Sequence, residues 1–217
     1  MCFNISIISK HDILEQEMNA KFSSNIKFIS QSHISAFSNP LIPIITSDNR
    51  STIQLFYWGL IPHWVKTINK ANELRKMTYN AKNETIKEKP SFKDSIKNRK
   101  CLILANGFYE WQTTSKGKIC YYISSSDEKL FTFAGIWSNW HNTLNGKLIR
   151  SVSIITQQAN EIMSTIHNIK KRQPVILHKH NYQSWLNSGM DFQDILDESF
   201  NFNFNYKIVN SPLKITT

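Results

Sequence analysis

The sequence has 217 residues, 41% of them hydrophobic and 19% charged, with a formal net charge of +10, which suits one globular domain with a substantial core. Three cysteines without a Cys-x-x-Cys spacing argue against a disulfide framework or structural zinc and favour a reducing cytoplasm. No apolar run approaches the ~20 residues that span a bilayer, and no signal-peptide pattern opens the chain. We therefore expect a cytoplasmic monomer without membrane segment, metal or cofactor.

The positive charge indicates a polyanionic partner. Lysine and arginine total 26 against 16 acidic residues, and a field of this sign attracts nucleic acid. A basic solvated surface without such a partner is the alternative. Lysine far outnumbers arginine, which favours neutralising phosphates over reading base edges. Any nucleic acid would then be bound without sequence preference.

The first half of the chain predicts a strand at 4–8 and a helix at 11–22, then an irregular stretch over 26–50 that contains two prolines. A strand follows at 53–58 and runs into the loop 58–64. Pro90 and Ser91 precede a helix to about residue 99, with Ser91 as its N-cap.

The second half reads mainly as strands. A strand at 101–105 and another at 108–112 flank Asn106-Gly107, a pair that suits a type I′ hairpin turn. The next elements are strands at 119–124, 131–137 and 151–156, with helices at 158–166 and 181–187. The tail from residue 200 fits an edge strand or a loosely ordered end. No repeat or linker divides the chain, so we expect one α+β domain over 1–217.

Cys2 is the most informative residue. Once Met1 is removed, an α-amine with a pKa of ~8 and a thiol with a pKa of ~8.5 sit on one residue. Small shifts in these values supply a neutral amine and a thiolate near neutral pH. The amine can attack an aldehyde to give an imine, and the thiol can then close a thiazolidine ring. The alternative is an ordinary buried cysteine.

A series of short motifs follows Cys2 in a fixed order: WGLIPHW at 58–64, NAKNET at 80–85, PSF at 90–92, RKCLILANGFYEW at 99–111, FAGIW at 133–137, IIT at 154–156, and His167 followed by RQPVIL at 172–177. This set resembles the SOS response-associated peptidase (SRAP) family, also called abasic site processing proteins, most strongly over 1–187. The resemblance implies antiparallel sheets curled into a barrel-like core with helices outside.

The same resemblance implies a DNA-damage function. Family members capture the aldehyde of abasic sites in single-stranded DNA as a stable thiazolidine cross-link through the N-terminal cysteine. They are also credited with removing their own initiator methionine, and some with abasic-site lyase chemistry. For this chain it implies single-stranded DNA with abasic sites as the partner and Cys2 as the nucleophile.

Glu110 is the candidate acid and base, at the position that matches the family's catalytic glutamate. It is flanked by aromatic residues, and a carboxyl group in apolar surroundings has a raised pKa and can move protons near neutrality. Imine formation requires such proton transfers. A structural carboxylate paired with a lysine is the alternative. Phe3 replaces a glycine of many members and either narrows access to Cys2 or lines the pocket.

His167 and Asn80 complete the catalytic set that the resemblance implies. A histidine titrates near ~6.5, so His167 can assist opening of the sugar or reversal of the cross-link; alone, it would fit a core or capping histidine. The family's His-to-Pro stretch is lengthened here by residues 168–171. Asn80 would orient Cys2, because an amide can donate and accept hydrogen bonds; otherwise it is a turn residue.

The candidate DNA-binding residues are Lys82, Trp64, Pro62, Trp58 and Arg172. Lys82 replaces a family arginine that contacts DNA, which keeps the charge but loses the bidentate fork. Aromatic and proline surfaces stack on bases for ~1–3 kcal/mol each, and Trp64 is the candidate wedge. Some of these side chains must belong to the core. Cys101 and Cys120 are expected to be buried and inert, and Glu84 structural.

Two other classes of function stay open. An N-terminal-nucleophile hydrolase acting on amides would also expose Cys2 and would need an oxyanion hole, but it would leave no lasting DNA adduct. A passive basic DNA-binding module would not need Cys2 at all, so Cys2→Ser would leave DNA retention unchanged.

Overall fold

Strands in the computed structural model of this protein form two sheets, and the structure describes residues 2–23, 26, 28–187 and 192–213. The strands are β1 (Asn4–Ile7), β2 (Lys21–Phe22), β3 (Gln31–Ser35), β4 (Leu41–Thr46), β5 (Asn49–Trp58), β6 (Asn80–Lys82), β7 (Lys100–Ala105), β8 (Gly107–Thr114), β9 (Gly117–Ser125), β10 (Phe131–His141), β11 (Leu148–Gln158), β12 (Arg172–Pro174), β13 (Ile176–Leu177) and β14 (Phe204–Val209). The helices are α1 (His11–Met18), α2 (Ile68–Arg75), α3 (Lys93–Asn98), α4 (Glu161–Ile166), α5 (Tyr182–Leu186) and α6 (Phe192–Phe200).

Five strands close into a barrel. The order β11-β10-β7-β4-β5 is antiparallel throughout, and β5 then pairs in parallel with β11 through Tyr57↔Ser151 and Trp58↔Val152. All six residues of β7 are buried, as a continuous apolar run predicts for a strand covered on both faces. The barrel-like core expected from the sequence is confirmed, as is the α+β class.

The second sheet carries the amino terminus. Its order is β14-β9-β8-β1-β3, with every neighbouring pair antiparallel. The tail forms the edge strand β14, which confirms one of its two expected forms. Strands β1, β8 and β9 therefore lie side by side, and residues near the start of the chain meet residues near position 110.

The Asn106-Gly107 hairpin prediction is wrong. Strand β7 pairs with β4 and β10 in the barrel, whereas β8 pairs with β1 and β9 in the other sheet. Gly107 does not have a positive φ; a Cβ atom there would lie 2.4 Å from the ring of Tyr122. The Asn106 Oδ1 atom accepts from the backbone N–H groups of Ile8 and Ser9 at 2.8 and 3.0 Å. This pair thus joins two sheets, and the hairpin is β8–β9.

Several element boundaries also differ from the sequence predictions. Helix α1 ends at Met18 because Asn19 adopts a left-handed conformation with φ 47°. The stretch expected to be irregular contains β3, β4 and the start of β5 in its described part. Helix α3 is preceded by Phe92 in the N-cap position, not by Ser91. Strand β11 continues to Gln158, and Asn160 caps α4 by accepting from the Met163 N–H.

No helix among the described residues is long and apolar enough to cross a membrane.

Candidate active site

Cys2 lies two residues before the start of β1 and is completely buried. Burial, reinforced by the negative charge of Glu110, raises the pKa of its thiol well above the ordinary value, because a thiolate loses its hydration in such a site. The shift is opposite to the one that would supply a thiolate at neutral pH. The sulfur is therefore held as a neutral thiol, and the α-amine of a processed chain is the nucleophile available first.

Glu110 lies on β8, the strand next to β1, and approaches Cys2 from there. Strands β1 and β8 pair through Ile5↔Phe108, and continuing this register brings residue 3 opposite residue 110. The residue is 5% exposed, and burial raises the pKa of its carboxyl group to about 7. The sequence expectation of a raised pKa is confirmed. Such a group can both give and take a proton near neutral pH.

His167 ends α4 and faces Glu110, with 3.9 Å between Nε2 and the Glu110 Oε2 atom. The backbone N–H of Arg172 donates to Nδ1 at 3.0 Å, so the neutral ring carries its proton on Nε2. Burial lowers the pKa of His167 to about 4. Because burial raises the pKa of Glu110 and lowers that of His167, it disfavours the state in which both are charged, and their separation of 3.9 Å is longer than a hydrogen bond.

Asn80 connects the barrel to Cys2 by a hydrogen bond. It begins β6, which pairs in parallel with β11, and its Nδ2 atom donates to the Cys2 carbonyl oxygen at 2.9 Å. The preceding residue is fixed by Trp58, whose indole N–H donates to the Tyr79 carbonyl at 2.9 Å. Trp58 is completely buried, so its assignment as a DNA-stacking surface is wrong. It supports the strand that carries Asn80.

A cavity of about 370 Å³ opens beside Glu110 and His167. Its walls include Phe3, Glu110, Trp111, His167 and Lys170. The Phe3 ring also lies 5.2 Å from that of Phe37, centroid to centroid, so its bulk lines the pocket. Within the described residues, no cluster of three or more histidine, cysteine or carboxylate side chains is arranged to hold a metal ion.

The remaining DNA-binding candidates differ in exposure. Lys82 is exposed and lies on the same side of β6 as Asn80, because side chains two apart in a strand share a face. Trp64 is 43% exposed, with its indole N–H donating to the Pro90 carbonyl at 3.2 Å. Pro62 is buried, which removes it as a stacking surface.

Arg172 is part of the interior. The expectation that it contacts DNA at the surface is therefore wrong. Two of its nitrogens bind the two carboxylate oxygens of Glu84, and Nη2 also donates to the Thr156 carbonyl at 2.8 Å. The Arg172 side chain is 9% exposed and that of Glu84 39% exposed. The structural role expected for Glu84 agrees with this pair, which anchors the segment whose backbone orients His167.

The unequal burial of this pair predicts unequal costs of breaking it. Glu84→Ala leaves a buried guanidinium without its counter-ion, whereas Arg172→Met leaves a carboxylate that water can reach. Losing one partner of a fully buried pair costs ~3–5 kcal/mol, so we expect about 2 to 3 kcal/mol for Glu84→Ala and a smaller loss for Arg172→Met. Urea denaturation at pH 7 measures both, and the reverse order would contradict the assignment.

Sequence reasoning missed two residues that shape the site. Asn168 hydrogen-bonds the backbone of Thr113 with both ends of its amide, and Lys118 lines the cavity beside His167. The lengthened stretch 168–171 was the one available signal for the first. No sequence signal pointed to Lys118, because a lysine that alternates with apolar residues is common in any strand with one solvent-exposed face.

The sequence matches the family described as SOS response associated peptidase (SRAP) over residues 1–210. It is 34% identical over 189 residues to the abasic site processing protein YoqW of Bacillus subtilis, covering 86% of this chain and 80% of that protein. It is 33% identical over 198 residues to YoaM of the same organism, also described as an abasic site processing protein, covering 90% and 83%. A crystal structure of a Bacteroides thetaiotaomicron protein superposes with a TM-score of 0.87 at 33% identity, covering 96% of this chain and 92% of that one.

Proposed function

This chain belongs to the SOS response associated peptidase (SRAP) family, and on that premise we propose that it captures abasic sites in single-stranded DNA covalently through Cys2. The observation that carries the proposal is the convergence of Cys2, Asn80, Glu110 and His167, three of which lie on separate strands or helices. An abasic deoxyribose opens to an aldehyde, which is the electrophile that a 1,2-aminothiol traps. Two relatives are named for processing this lesion.

The amine acts first in the proposed sequence. After Met1 is removed, the α-amine of Cys2 attacks C1′ of the opened sugar and forms a carbinolamine. Glu110, with a pKa of about 7, gives the proton with which the hydroxyl group leaves as water, and its carboxylate then takes the proton from the iminium nitrogen, so that an imine remains. The neutral thiol then adds its sulfur to the imine carbon while its proton passes to the nitrogen. The product is a thiazolidine, equal to protein plus DNA minus one water.

Asn80 and His167 prepare this reaction. The Asn80 Oδ1 atom is buried without a hydrogen-bond partner among the described residues, so it is placed to accept from the new amine while Nδ2 holds the Cys2 carbonyl. The Nε2–H group of His167 is the donor that would assist the ring oxygen as the sugar opens. Its low pKa keeps the ring neutral, and therefore available for this role, at physiological pH.

The surface supports binding of a single strand. The net charge of +10 attracts the phosphate backbone without sequence preference. Lys82 is exposed two residues from Asn80, where a phosphate next to the lesion would lie. Trp64 offers a partly exposed ring for stacking on a base. We assign to the cross-link a protective role in the DNA damage response, on chromosomal DNA in the cytoplasm.

The family's other activities enter the same proposal. An imine is also the first intermediate of strand cleavage by β-elimination, so lyase activity and cross-linking share one step. Removal of Met1 by the protein itself is the peptidase activity that we propose in keeping with the family description. Attack by sulfur on the Met1–Cys2 peptide would require that the buried thiol first lose its proton.

Intact mass spectrometry tests the proposed function. The purified protein is weighed before and after mixing with a single-stranded oligonucleotide that contains one abasic site. We expect a starting mass without methionine, then a species equal to protein plus DNA minus water that survives denaturation. A processed protein that forms no such species would contradict covalent capture and would favour the amide hydrolase or the passive binder.

A further inference from the structure

A basic rim stands at the mouth of the cavity that contains Glu110 and His167. We propose that Lys118 and Lys170 bind the DNA phosphate next to the abasic sugar, and that Asn168 fixes the loop that presents Lys170. The inference rests on the proposed function, and it identifies Lys118 and Lys170 as the residues that position the DNA substrate. It concerns the stretch 168–171, which separates His167 from Arg172.

The loop is anchored to β8 by one side chain. The Asn168 Oδ1 atom accepts from the Thr113 backbone N–H at 3.0 Å, and its Nδ2 atom donates to the Thr113 carbonyl at 2.8 Å. An asparagine used in this way replaces the paired backbone bonds of a neighbouring strand. The loop closes with a Lys171 N–H to His167 carbonyl bond of 2.9 Å and a left-handed Lys171 with φ 47°. Lys170 is thus presented from a defined position.

Lys118 is brought to the same place from the other side of the ladder. It lies on β9 directly opposite Thr113, the residue that Asn168 binds. Both Lys118 and Lys170 line the cavity with Glu110 and His167, and both are exposed. In the described part of the chain, no carboxylate forms a salt bridge with either ammonium group.

The charges at this rim favour an anion. The positive charge of Lys170 is close enough to contribute to the lowered pKa of His167, so it acts on the interior of the cavity as well as on the solvent. A lesion sugar that enters far enough to reach Cys2 leaves its own phosphates at the opening, because a phosphate is too costly to bury without counter-charges. Two uncompensated ammonium groups at that opening supply the counter-charge.

The salt dependence of binding tests the rim. Binding is measured in a Cys2→Ala background with single-stranded DNA that carries a tetrahydrofuran abasic analogue, which has no aldehyde and cannot react. Each phosphate contact contributes about 0.7 to the slope of log K against log salt for a single strand. Because the two lysines share one phosphate, we expect Lys118→Gln combined with Lys170→Gln to make that slope shallower by about 0.7. Lys118→Arg with Lys170→Arg should keep the original slope.

A matched charge control separates local contact from net charge. Lys10→Gln removes an exposed lysine that does not line this cavity, and it should leave the slope unchanged. An unchanged slope in the double glutamine variant would overturn the inference, and so would an equal loss in two control lysines placed like Lys10.

An experiment with DNA that carries a true abasic site distinguishes failure of this inference from failure of the proposed function. With Cys2 present and a true abasic site, the double glutamine variant should need more DNA for half-maximal capture while its rate at saturation stays near that of wild type. A wild-type protein that forms no adduct would contradict the proposed function. Wild-type capture together with an unchanged half-saturating concentration in the variant would contradict the rim alone.

Discussion

Replacing Cys2 with alanine is expected to reduce denaturation-resistant DNA adducts to the level of a reaction without protein, while salt-sensitive binding to single-stranded DNA persists. In the proposed mechanism the Cys2 thiol closes the ring on the imine, and an unclosed imine hydrolyses. Because the Cys2 side chain is buried, it makes no surface contact with DNA, so the affinity for single-stranded DNA should change little. Capture is quantified by denaturing gel and intact mass, and affinity by fluorescence anisotropy.

A reductant distinguishes the order of the two attacks. Cys2→Ala and Cys2→Ser both keep the α-amine, so cyanoborohydride should trap an adduct with each variant that is absent without reductant. Failure of both variants to give a reduced adduct would contradict attack by the amine first. A Cys2→Ala protein that still formed denaturation-resistant adducts without reductant would refute the assignment of Cys2. Because the proposed self-removal of Met1 uses the Cys2 sulfur, Met1 is removed from both variants with a methionine aminopeptidase, and only proteins whose intact mass lacks methionine are compared.

Glu110→Gln should slow capture and stabilise the protein. A positioned general acid–base contributes ~10²–10⁴-fold, so we expect the rate constant at saturating DNA to fall about 10²-fold or more. Ionising this buried carboxyl group is unfavourable, because its pKa of about 7 lies above the ordinary 4.5. At pH 8 the variant should therefore gain up to about 3 kcal/mol in the free energy of unfolding, and almost none at pH 4.5.

Glu110 and His167 change the free energy of unfolding in opposite directions as pH rises. The folded state keeps a proton on Glu110 between pH 4.5 and 7 that the unfolded chain has lost, so this contribution falls as pH rises and is gone above about 7. His167 acts oppositely: its pKa of about 4 lies below 6.5, so the unfolded chain binds more protons between pH 4 and 6.5, and stability rises with pH.

Urea denaturation of three proteins checks this opposition. Over pH 5 to 6.5 the two contributions oppose each other, and the rise caused by the lowered pKa of His33 is common to all three proteins, so the slope of the wild-type curve should lie between those of the two variants. Glu110→Gln leaves only the histidine contributions and should rise with pH, while His167→Gln should fall. Parallel curves for the two variants would contradict the assigned shifts, and an unslowed capture by Glu110→Gln would remove that residue from the chemistry.

Local sequence patterns predicted seven of the fourteen described strands, and the tail strand as one of two alternatives, but not how the strands pair. The apolar run of β7 and the alternation of β9 are properties of the segments themselves, and both were recognised. The Asn106-Gly107 pair has the composition of a hairpin turn, yet its glycine is required by the ring of Tyr122 from another strand. Such a contact between distant segments leaves no local signal. Helix α2 was missed because its polar sequence buries only Ala71.

The residues that converge at the candidate site were named from motifs that resemble a family, whereas three of the five proposed DNA-binding residues proved to be buried. Lys82 and Trp64 are at the surface as their roles require, but Trp58 and Arg172 are interior residues. Tryptophan and arginine suit either location, since both combine a large apolar part with hydrogen-bond donors. Only the three-dimensional environment, the Tyr79 carbonyl for one and Glu84 for the other, decides between them.

The parallel junction between β5 and β11 makes assembly of the candidate site depend on residues that are synthesised late. It joins residues 57 and 151, and β6, which carries Asn80, pairs with the same β11 strand. Cys2 leaves the ribosome first, yet Asn80 is not fixed until β11 has emerged, and His167 follows later still. A nascent chain therefore presents an aminothiol without its proton donors or its orienting amide. Domains fold as units once their long-range partners exist, so the candidate site is complete only after the segment that carries His167 has been made.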